Sequence, residues 1–218
     1  VGNAEWSVLS VAELFRSLGV DTSGPWLKAA GRDGYVRYFP REVALDPDFC
    51  VAVGMNGQPL PHGHGAPGRL LVPGQYGAMS IKWLSELTFG PMEDTRTFDG
   101  GSPNHYPIKP LAFATAPFEH AKVPPGEVEL LGAAFAGLRP VKEVILWTDP
   151  ARPWMAELVD PPRANVWTRW RSRARLPPGR LVLHICCVDD RGAHSSFQSP
   201  FGDAEGYGGI HVLHLTQT

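Results

Sequence analysis

The sequence predicts an α+β protein in which a mixed α/β first part is followed by an antiparallel β-sandwich. One helical segment lies among several strand-like segments near the start, whereas short strand-like segments at even spacing fill the region from residue 124 to the end. Charged residues make up only 19% of the chain, and its 218 residues include 24 glycines and 22 prolines. This composition is typical of strands joined by shaped turns.

The composition also limits the classes of function. The formal net charge is -2 and neither end carries a basic or acidic tail, so nothing favours binding to nucleic acid or to a membrane surface, which requires a concentrated basic field. No apolar run is long enough to span a membrane. No targeting signal can be read, which leaves the bacterial periplasm and the cytoplasm open as compartments.

The first part is predicted to contain a helix that begins after Ser10 and ends at Gly19. Ser10 and Glu13 have the spacing of a capping box, and glycine is the usual left-handed residue at the end of a helix. The other elements predicted here are the strand "GYVRYFP", the helical turn "REVAL", the buried strands "FCVAVGM" and "RLLVP", and the strand "SIKWLSELTF".

A loosely patterned stretch separates the two parts. From Gly90 to about Pro125, glycine, proline, aspartate and asparagine recur without a period, which predicts a long ordered connection with the domain boundary near its end. We therefore divide the chain into two predicted domains, residues 1–123 and residues 124–218.

The second domain is predicted to be an immunoglobulin-like antiparallel β-sandwich, because turn signals such as "TDPARP" and "DDRG" alternate with its short strand-like segments. One strand shows the alternation best: Trp170 and its alternate neighbours are uncharged, whereas Arg169, Arg171, Arg173 and Arg175 point to the other face. We interpret this arginine stripe as a solvated face or a subunit contact.

The candidate functional residues lie in the stretch "MNGQPLPHGHGAPGRLLVPGQYGAMSIKWL". His62 and His64 would share one face of a strand, but no other motif supplies the remaining ligands of a zinc site. The sequence contains no nucleophile elbow and no phosphate-loop motif. Two readings remain open: two ordinary β-turns, or an anion cradle in which glycines let backbone N–H groups approach a ligand beside Arg69 and Lys82.

A resemblance to a known family favours the cradle. The pattern "MNGQPLP…HG.P.RLLVPG.YG..S.KWL", together with the opening "GNAEW" and a short helix, resembles the molybdenum-cofactor domain of the sulfite oxidase family. The later segments "LLGAAFAG", "VKEVILWTD", "PPGRLVL" and "GYGGIH" resemble the C-terminal dimerisation domain of that family. The resemblance runs over the whole chain. It implies a partial sulfite-oxidase-type mixed α/β cofactor domain followed by the sandwich.

The resemblance also implies Mo-molybdopterin as the cofactor and identifies residues that contact it. Arg69 and Lys82 would match the charge of the cofactor phosphate. The residues carried over from the family motifs are His64 and Arg69 in "HGAPGR", Ser80, Ile81 and Lys82 in "SIK", and Asp33 in "GRDGY".

In this family a cysteine thiolate, upstream of the region that corresponds to "GNAEW", also holds the molybdenum. Cys50 falls in a core strand, where a buried and inert thiol is expected, and Cys186 and Cys187 fall in the other domain. We therefore expect no catalytic residue and no metal ligand within this chain, and we expect it to be an inactive fragment of a longer enzyme. A degenerate family member that has lost redox chemistry is the alternative.

Three positions depart from the substrate pocket that the resemblance implies. Val53, Met79 and Val212 stand where sulfite oxidases have polar or positively charged side chains. A sulfite dianion needs positive and hydrogen-bonding groups in a dry pocket. These three positions therefore argue against sulfite itself as the substrate.

Two hypotheses of function follow. In the first, the parent protein is an oxidoreductase of the sulfite oxidase type, which transfers an oxygen atom to or from a small-molecule substrate and passes electrons to an external carrier. The same resemblance implies a homodimer formed through the C-terminal domain. In the second, the chain is a non-catalytic immunoglobulin-like binding or structural module with a relic cofactor fold. A cysteine-containing motif upstream of the chain would favour the first hypothesis.

Overall fold

The computed structural model describes residues 2–92, 108–196 and 209–218. The chain divides into two compact units, Val1–Tyr106 and Pro107–Thr218, and each unit has a hydrophobic core of its own. Within the described residues, every helix is too short or too polar to cross a membrane.

The first unit combines short helical elements with two small sheets. Its described helical elements are α1 (Val11–Leu18), α2 (Arg41–Ala44) and the 3₁₀ turns His62–His64 and Gly77–Met79. Its described strands are β1 (Trp6–Ser10), β2 (Trp26–Gly31), β3 (Val36–Pro40), β4 (Cys50–Met55), β5 (Gln58–Pro59), β6 (Arg69–Leu71) and β7 (Leu84–Gly90).

The central strand of the first sheet is β4, which the sequence marks as a continuous apolar run. Both β1 and β6 pair with it antiparallel, so that Ala52 lies opposite Val8 on one side and opposite Arg69 on the other. The second sheet has the order β3–β2–β7. Residues of both sheets and of α1 form one core, and its large buried side chains include Phe39, Phe49, Leu70 and Ile81.

The predicted helix is confirmed, but its predicted capping box is not formed. Ser10 precedes α1 with an extended backbone and makes no side-chain capping hydrogen bond. Instead, the N–H of Val11 donates to the carbonyl oxygen of Phe49 at 3.0 Å, which provides a tertiary partner for one of the free N–H groups of the first turn. Gly19 ends the helix in the left-handed conformation, at φ 63°.

The segment "SIKWLSELTF" is only partly a strand, in contrast to the prediction. Pairing covers Leu84–Gly90, whereas Trp83 adopts a left-handed conformation at φ 50°. A tryptophan rarely adopts this conformation, and strand propensity gives no indication of it. Hydrogen bonds from Lys82 and Trp83 hold this part of the segment against the loop at residues 62–65 instead of in the sheet.

The described elements of the second unit are all strands. They are β8 (Leu111–Ala116), β9 (Lys122–Val123), β10 (Glu127–Phe135), β11 (Val141–Trp147), β12 (Trp154–Met155), β13 (Glu157–Leu158), β14 (Thr168–Arg175), β15 (Gly179–Asp189) and β16 (His211–Gln217). They form two sheets, in the orders β13–β14–β10–β8 and β12–β11–β15–β16–β9. Both sheets contribute side chains to one buried core.

The second unit begins earlier than the predicted boundary at residue 124. Part of the predicted connection, residues 93–107, lies outside the described residues. After it, however, β8 pairs antiparallel with β10, with Leu111 opposite Phe135 and Ala116 opposite Leu131. Alanines make up half of β8 and give a weak strand signal, so pairing with β10 rather than local propensity determines the conformation of this segment.

The predicted alternation along β14 is confirmed. Trp170 is only 1% exposed, whereas the arginines of this strand are exposed. Arg169 makes a two-pronged ion pair with Asp160, and Arg171 makes one with Glu157. These two arginines of the stripe are therefore paired with carboxylates on neighbouring segments.

Candidate cofactor site

The loop that follows β5 is a tight turn. His62–His64 form a 3₁₀ turn, and the N–H groups of His64 and Ala66 donate to the carbonyl oxygen of Pro61 at 2.9 and 3.3 Å. Both histidine side chains are exposed, and they do not share a strand face. Among the residues that the structure describes, no group of three or more histidine, cysteine or acidic side chains is arranged to hold a metal ion.

Gly65 allows this loop to approach the segment before β7. Its φ is 108°, and a Cβ atom at this position would lie 3.0 Å from Cα of Lys82 and 3.1 Å from Cβ of Arg69. The N–H of Trp83 donates to the carbonyl oxygen of Gly65 at 3.2 Å. Glycine is required here for both the conformation and the close approach.

Arg69, at the start of β6, is a cation with few partners. Its Nη1 donates to the carbonyl oxygen of His64 at 3.3 Å, and its guanidinium carbon lies 5.3 Å from the ring centroid of Trp6. Its Nε is buried and has no hydrogen-bond partner among the described residues. Burial disfavours the charged form and lowers the pKa of Arg69 from its ordinary value. An anionic ligand would satisfy this costly buried donor.

Lys82 brings a second cation to the same loop. Its Nζ donates to the carbonyl oxygen of Gly63 at 2.8 Å and lies 5.8 Å from the ring centroid of Trp83. Trp83 in turn donates from Nε1 to the carbonyl oxygen of His62 at 3.0 Å. The predicted histidine, arginine and lysine therefore meet around one loop. We call the loop 62–65 together with Arg69 and Lys82 the cradle.

Ser80 and Ile81 support the segment that carries Lys82. The hydroxyl oxygen of Ser80 accepts a hydrogen bond from the N–H of Val72 at 3.3 Å. Ile81 is 1% exposed and packs in the core, while its carbonyl oxygen accepts from the N–H of Leu70 at 2.8 Å. The side chain of Ile81 is thus a core residue, so a ligand can meet this residue only through its backbone.

Asp33 lies close to the same segment, although it belongs to the turn between β2 and β3. Its Oδ1 accepts a hydrogen bond from the N–H of Tyr35 at 3.1 Å. A Cβ atom on Gly31 would lie 2.6 Å from this oxygen and 2.7 Å from the carbonyl oxygen of Lys82. The structure therefore places Asp33 beside the cradle, with an exposed carboxylate.

Two tryptophans beside the cations were not identified from the sequence. Trp6 is far from Arg69 along the chain, and their contact depends on the pairing of β1 and β6 with β4, which hydrophobic periodicity does not reveal. Trp83 directly follows Lys82. An aromatic residue next to a lysine after a glycine-rich loop is a signal that could have identified it.

The three positions at which the chain departs from the expected substrate pocket have different surroundings. Val53 is 45% exposed on β4, and Val212 is 40% exposed on β16 of the second unit. Met79, in contrast, is 7% exposed and belongs to the core of the first unit. The side chain of Met79 therefore packs inside its unit.

Comparison with known proteins identifies the family. A family model described as the oxidoreductase molybdopterin binding domain matches residues 1–98, which include the cradle. Human mitochondrial sulfite oxidase is 33% identical to this chain over 184 residues, which cover 72% of the chain and 34% of that protein. The chain belongs to the sulfite oxidase family. Mitochondrial sulfite oxidase of Drosophila melanogaster is 30% identical over 210 residues, covering 79% of the chain and 37% of that protein.

A solved structure shows the same fold. Sulfane dehydrogenase SoxCD from Paracoccus pantotrophus superposes with a TM-score of 0.79 at 23% identity, covering 95% of this chain and 59% of that one. The chain spans about a third of the length of the sulfite oxidases that it matches. It is thus similar to a part of these sulfite oxidase family members.

Molybdopterin is the cofactor of this family, and the cradle fits an anionic group of this kind. Arg69 has a buried Nε without a partner among the described residues. The Lys82 ammonium is bound to the same loop. The absence of a side chain at Gly65 lets the loop and the Lys82 segment approach each other. The charge of the cradle therefore suits the anionic phosphate of the cofactor.

Proposed function

We propose that the protein is a Mo-molybdopterin-dependent oxidoreductase of the sulfite oxidase type and that the cradle binds the phosphate end of its cofactor. The observation that carries this proposal is the state of Arg69, whose buried Nε lacks a partner among the described residues. A second cation, Lys82, is held on the same loop by a backbone carbonyl group. Two cations that converge beside a glycine-rich turn are suited to a phosphate.

The three residues around the loop have different roles in this proposal. Arg69 offers a planar fork of N–H groups, which can bind two phosphate oxygens at once, and Lys82 offers a point charge. The exposed imidazole of His64 contributes one hydrogen bond to the cofactor, while its carbonyl oxygen accepts the hydrogen bond from Arg69.

The three remaining predicted residues position the segment that carries Lys82 and orient the cofactor. Ser80 and Ile81 anchor the segment that carries Lys82, through the hydrogen bonds to Val72 and Leu70. The exposed carboxylate of Asp33 can accept hydrogen bonds from N–H groups of the pterin. Together these contacts would fix the position of the cofactor relative to the first unit.

When bound, the cofactor supplies the two-electron chemistry in which a small-molecule substrate gains an oxygen atom from water and releases two electrons and two protons, or the reverse. The electrons pass to an external carrier. All three cysteines are buried, and this proposal assigns none of them as a ligand of the metal. Within the first unit, the apolar side chain of Val53 favours a substrate other than the sulfite dianion.

The second unit is proposed to be an immunoglobulin-like domain through which the protein forms a homodimer. Two sheets that share one core support the immunoglobulin-like assignment, and the family resemblance supports the dimer. Light scattering at micromolar concentration should give the mass of a dimer. A monomer under these conditions would contradict the proposal.

The cofactor assignment is tested by composition. The protein would be expressed with every segment that its gene encodes, in cells that synthesise molybdopterin, and purified by gel filtration. We expect molybdenum, pterin and chain in equal amounts, measured by elemental and chemical analysis. A folded protein that carries neither pterin nor molybdenum would instead favour the alternative, a non-catalytic module with a relic cofactor fold.

A further inference from the structure

The guanidinium of Arg69 lies against an indole ring. Its central carbon is 5.3 Å from the ring centroid of Trp6, within the distance at which a cation is attracted to the face of an aromatic ring. Trp6 lies in β1 opposite Met55, and Arg69 lies in β6 opposite Ala52. Both strands pair with β4, and this pairing brings the two side chains within reach of each other.

The Trp6 ring is a major restraint on the orientation of this guanidinium. The hydrogen bond from Nη1 to His64 is long, at 3.3 Å, and Nε has no partner among the described residues. An aromatic ring against one face of a guanidinium restricts its tilt and excludes water from that face. The N–H groups along its edge stay available to a ligand.

We propose that Trp6 is a positioning residue of the cofactor site: its indole holds the Arg69 guanidinium so that the N–H edge meets an anionic oxygen group of the cofactor. The inference rests on the proposed cradle. Pre-orienting the arginine lowers the entropy cost of binding, because the side chain is already ordered before the ligand arrives. The ring also keeps the cation partly desolvated, which strengthens its attraction to an anion.

A double-mutant cycle tests this role on the cofactor-loaded protein. The rate constant for cofactor loss after dilution is measured, from molybdenum and pterin that remain with the protein, for the parent, Trp6→Leu, Arg69→Gln and the double variant. We expect Trp6→Leu to accelerate loss about two- to thirtyfold when Arg69 is present. In the Arg69→Gln background the same change should have less than about a twofold effect, because the interaction is already absent.

Two further variants separate positioning from a general effect on folding. Trp6→Phe keeps an aromatic face and should lose cofactor more slowly than Trp6→Leu. Trp26→Leu removes another partly buried tryptophan of the first unit and should leave the rate constant unchanged. If Trp6→Leu proves poorly folded, Trp6→Phe takes its place in the cycle, and a smaller acceleration that again requires Arg69 is expected.

The possible outcomes distinguish this inference from the cradle itself. Equal effects of Trp6→Leu in both backgrounds, or faster loss from Trp6→Phe than from Trp6→Leu, would overturn the role of Trp6. A normal rate for Trp6→Leu combined with rapid loss from Arg69→Gln would overturn it too, while leaving the cradle intact. A normal rate for Arg69→Gln would contradict the cradle.

Discussion

The ammonium group of Lys82 donates a hydrogen bond to the carbonyl oxygen of Gly63 at 2.8 Å, although 19 residues separate them. The neighbouring residue Trp83 makes a second bond of this kind, from its indole to His62. Side chains of the segment before β7 therefore bind backbone carbonyl groups of the loop and hold the two together. As a result, contacts within the chain hold the cations of the cradle in place without a ligand.

Removal of the Lys82 charge is expected to weaken cofactor binding. Lys82→Met keeps the aliphatic chain but loses a charge-assisted contact of about 1.5–3 kcal/mol, which corresponds to roughly a ten- to hundredfold loss of affinity. Cofactor content after exhaustive gel filtration measures this effect. Lys28→Met, which removes a lysine that pairs with Glu86 at the surface, is the matched control and should retain the cofactor. Full cofactor retention by Lys82→Met would contradict the proposed role.

Two glycines of the same loop should differ sharply in their tolerance of alanine. Gly65→Ala places a Cβ atom 3.0 Å from the Lys82 backbone at φ 108°, so we expect it to lower the free energy of unfolding of the first unit by about 1–3 kcal/mol. Gly63→Ala meets no atom within 4 Å and should change that free energy by less than about 0.5 kcal/mol. Denaturant titrations of both variants measure the difference, and equal stabilities would show that the close approach is absent.

The ion pair between Asp160 and Arg169 predicts a specific pH dependence. Hydrogen bonds from Arg169 lower the pKa of Asp160 from its ordinary value of 3.8 to about 2. Because the folded pKa is the lower one, the stabilising contribution is present above 3.8 and is lost as the pH falls through about 2. The stability difference between the parent protein and Asp160→Asn should therefore shrink over this range.

Nuclear magnetic resonance of the Asp160 carboxyl carbon provides a direct measurement of the same effect. Arg169→Gln should return its midpoint towards the ordinary value, because the principal cause of the shift has been removed. An unchanged midpoint in that variant would assign the shift to another group.

The three thiols should be unreactive in the folded protein. Cys187 is fully buried and its pKa is raised to about 12, while burial also raises the pKa of Cys50 and Cys186. Since the thiolate is the reactive form, an alkylating reagent near neutral pH should modify them only after unfolding. Mass spectrometry counts the modified thiols. Ser17→Cys, at an exposed position of α1, should react at once and confirms that the reagent is active.

Local sequence patterns predict the elements of this fold well where the residues follow a clear and regular spacing. The alternation along β14 gives the buried position of Trp170 correctly, and the glycine after α1 gives the end of that helix. The strand β8 was missed because its alanines carry little strand preference and its conformation is determined by β10. The boundary between the units was consequently predicted too late in the chain.

Local sequence patterns also predict some features of the candidate site, whereas other features depend on tertiary contacts. The motif around His64, Arg69 and Lys82 predicts residues that the structure brings around one loop. The sequence does not show that the side chain of Ile81 is a core residue, since an apolar residue between polar ones gives no indication of depth. Nor does it show that Trp6 contacts Arg69, because this contact requires the register of three strands.

The strand β16 follows the other four strands of its sheet in the chain, so it is the last of them to be synthesised. This strand pairs with β15 along its whole length and with Lys122 and Val123 of β9 on its other side. As the chain emerges from the ribosome, β9 and β15 appear first, with edges that β16 has not yet covered. Nascent chains are therefore vulnerable to misassembly and chaperone capture until residue 217 has left the exit tunnel, and only then can the five-stranded sheet close.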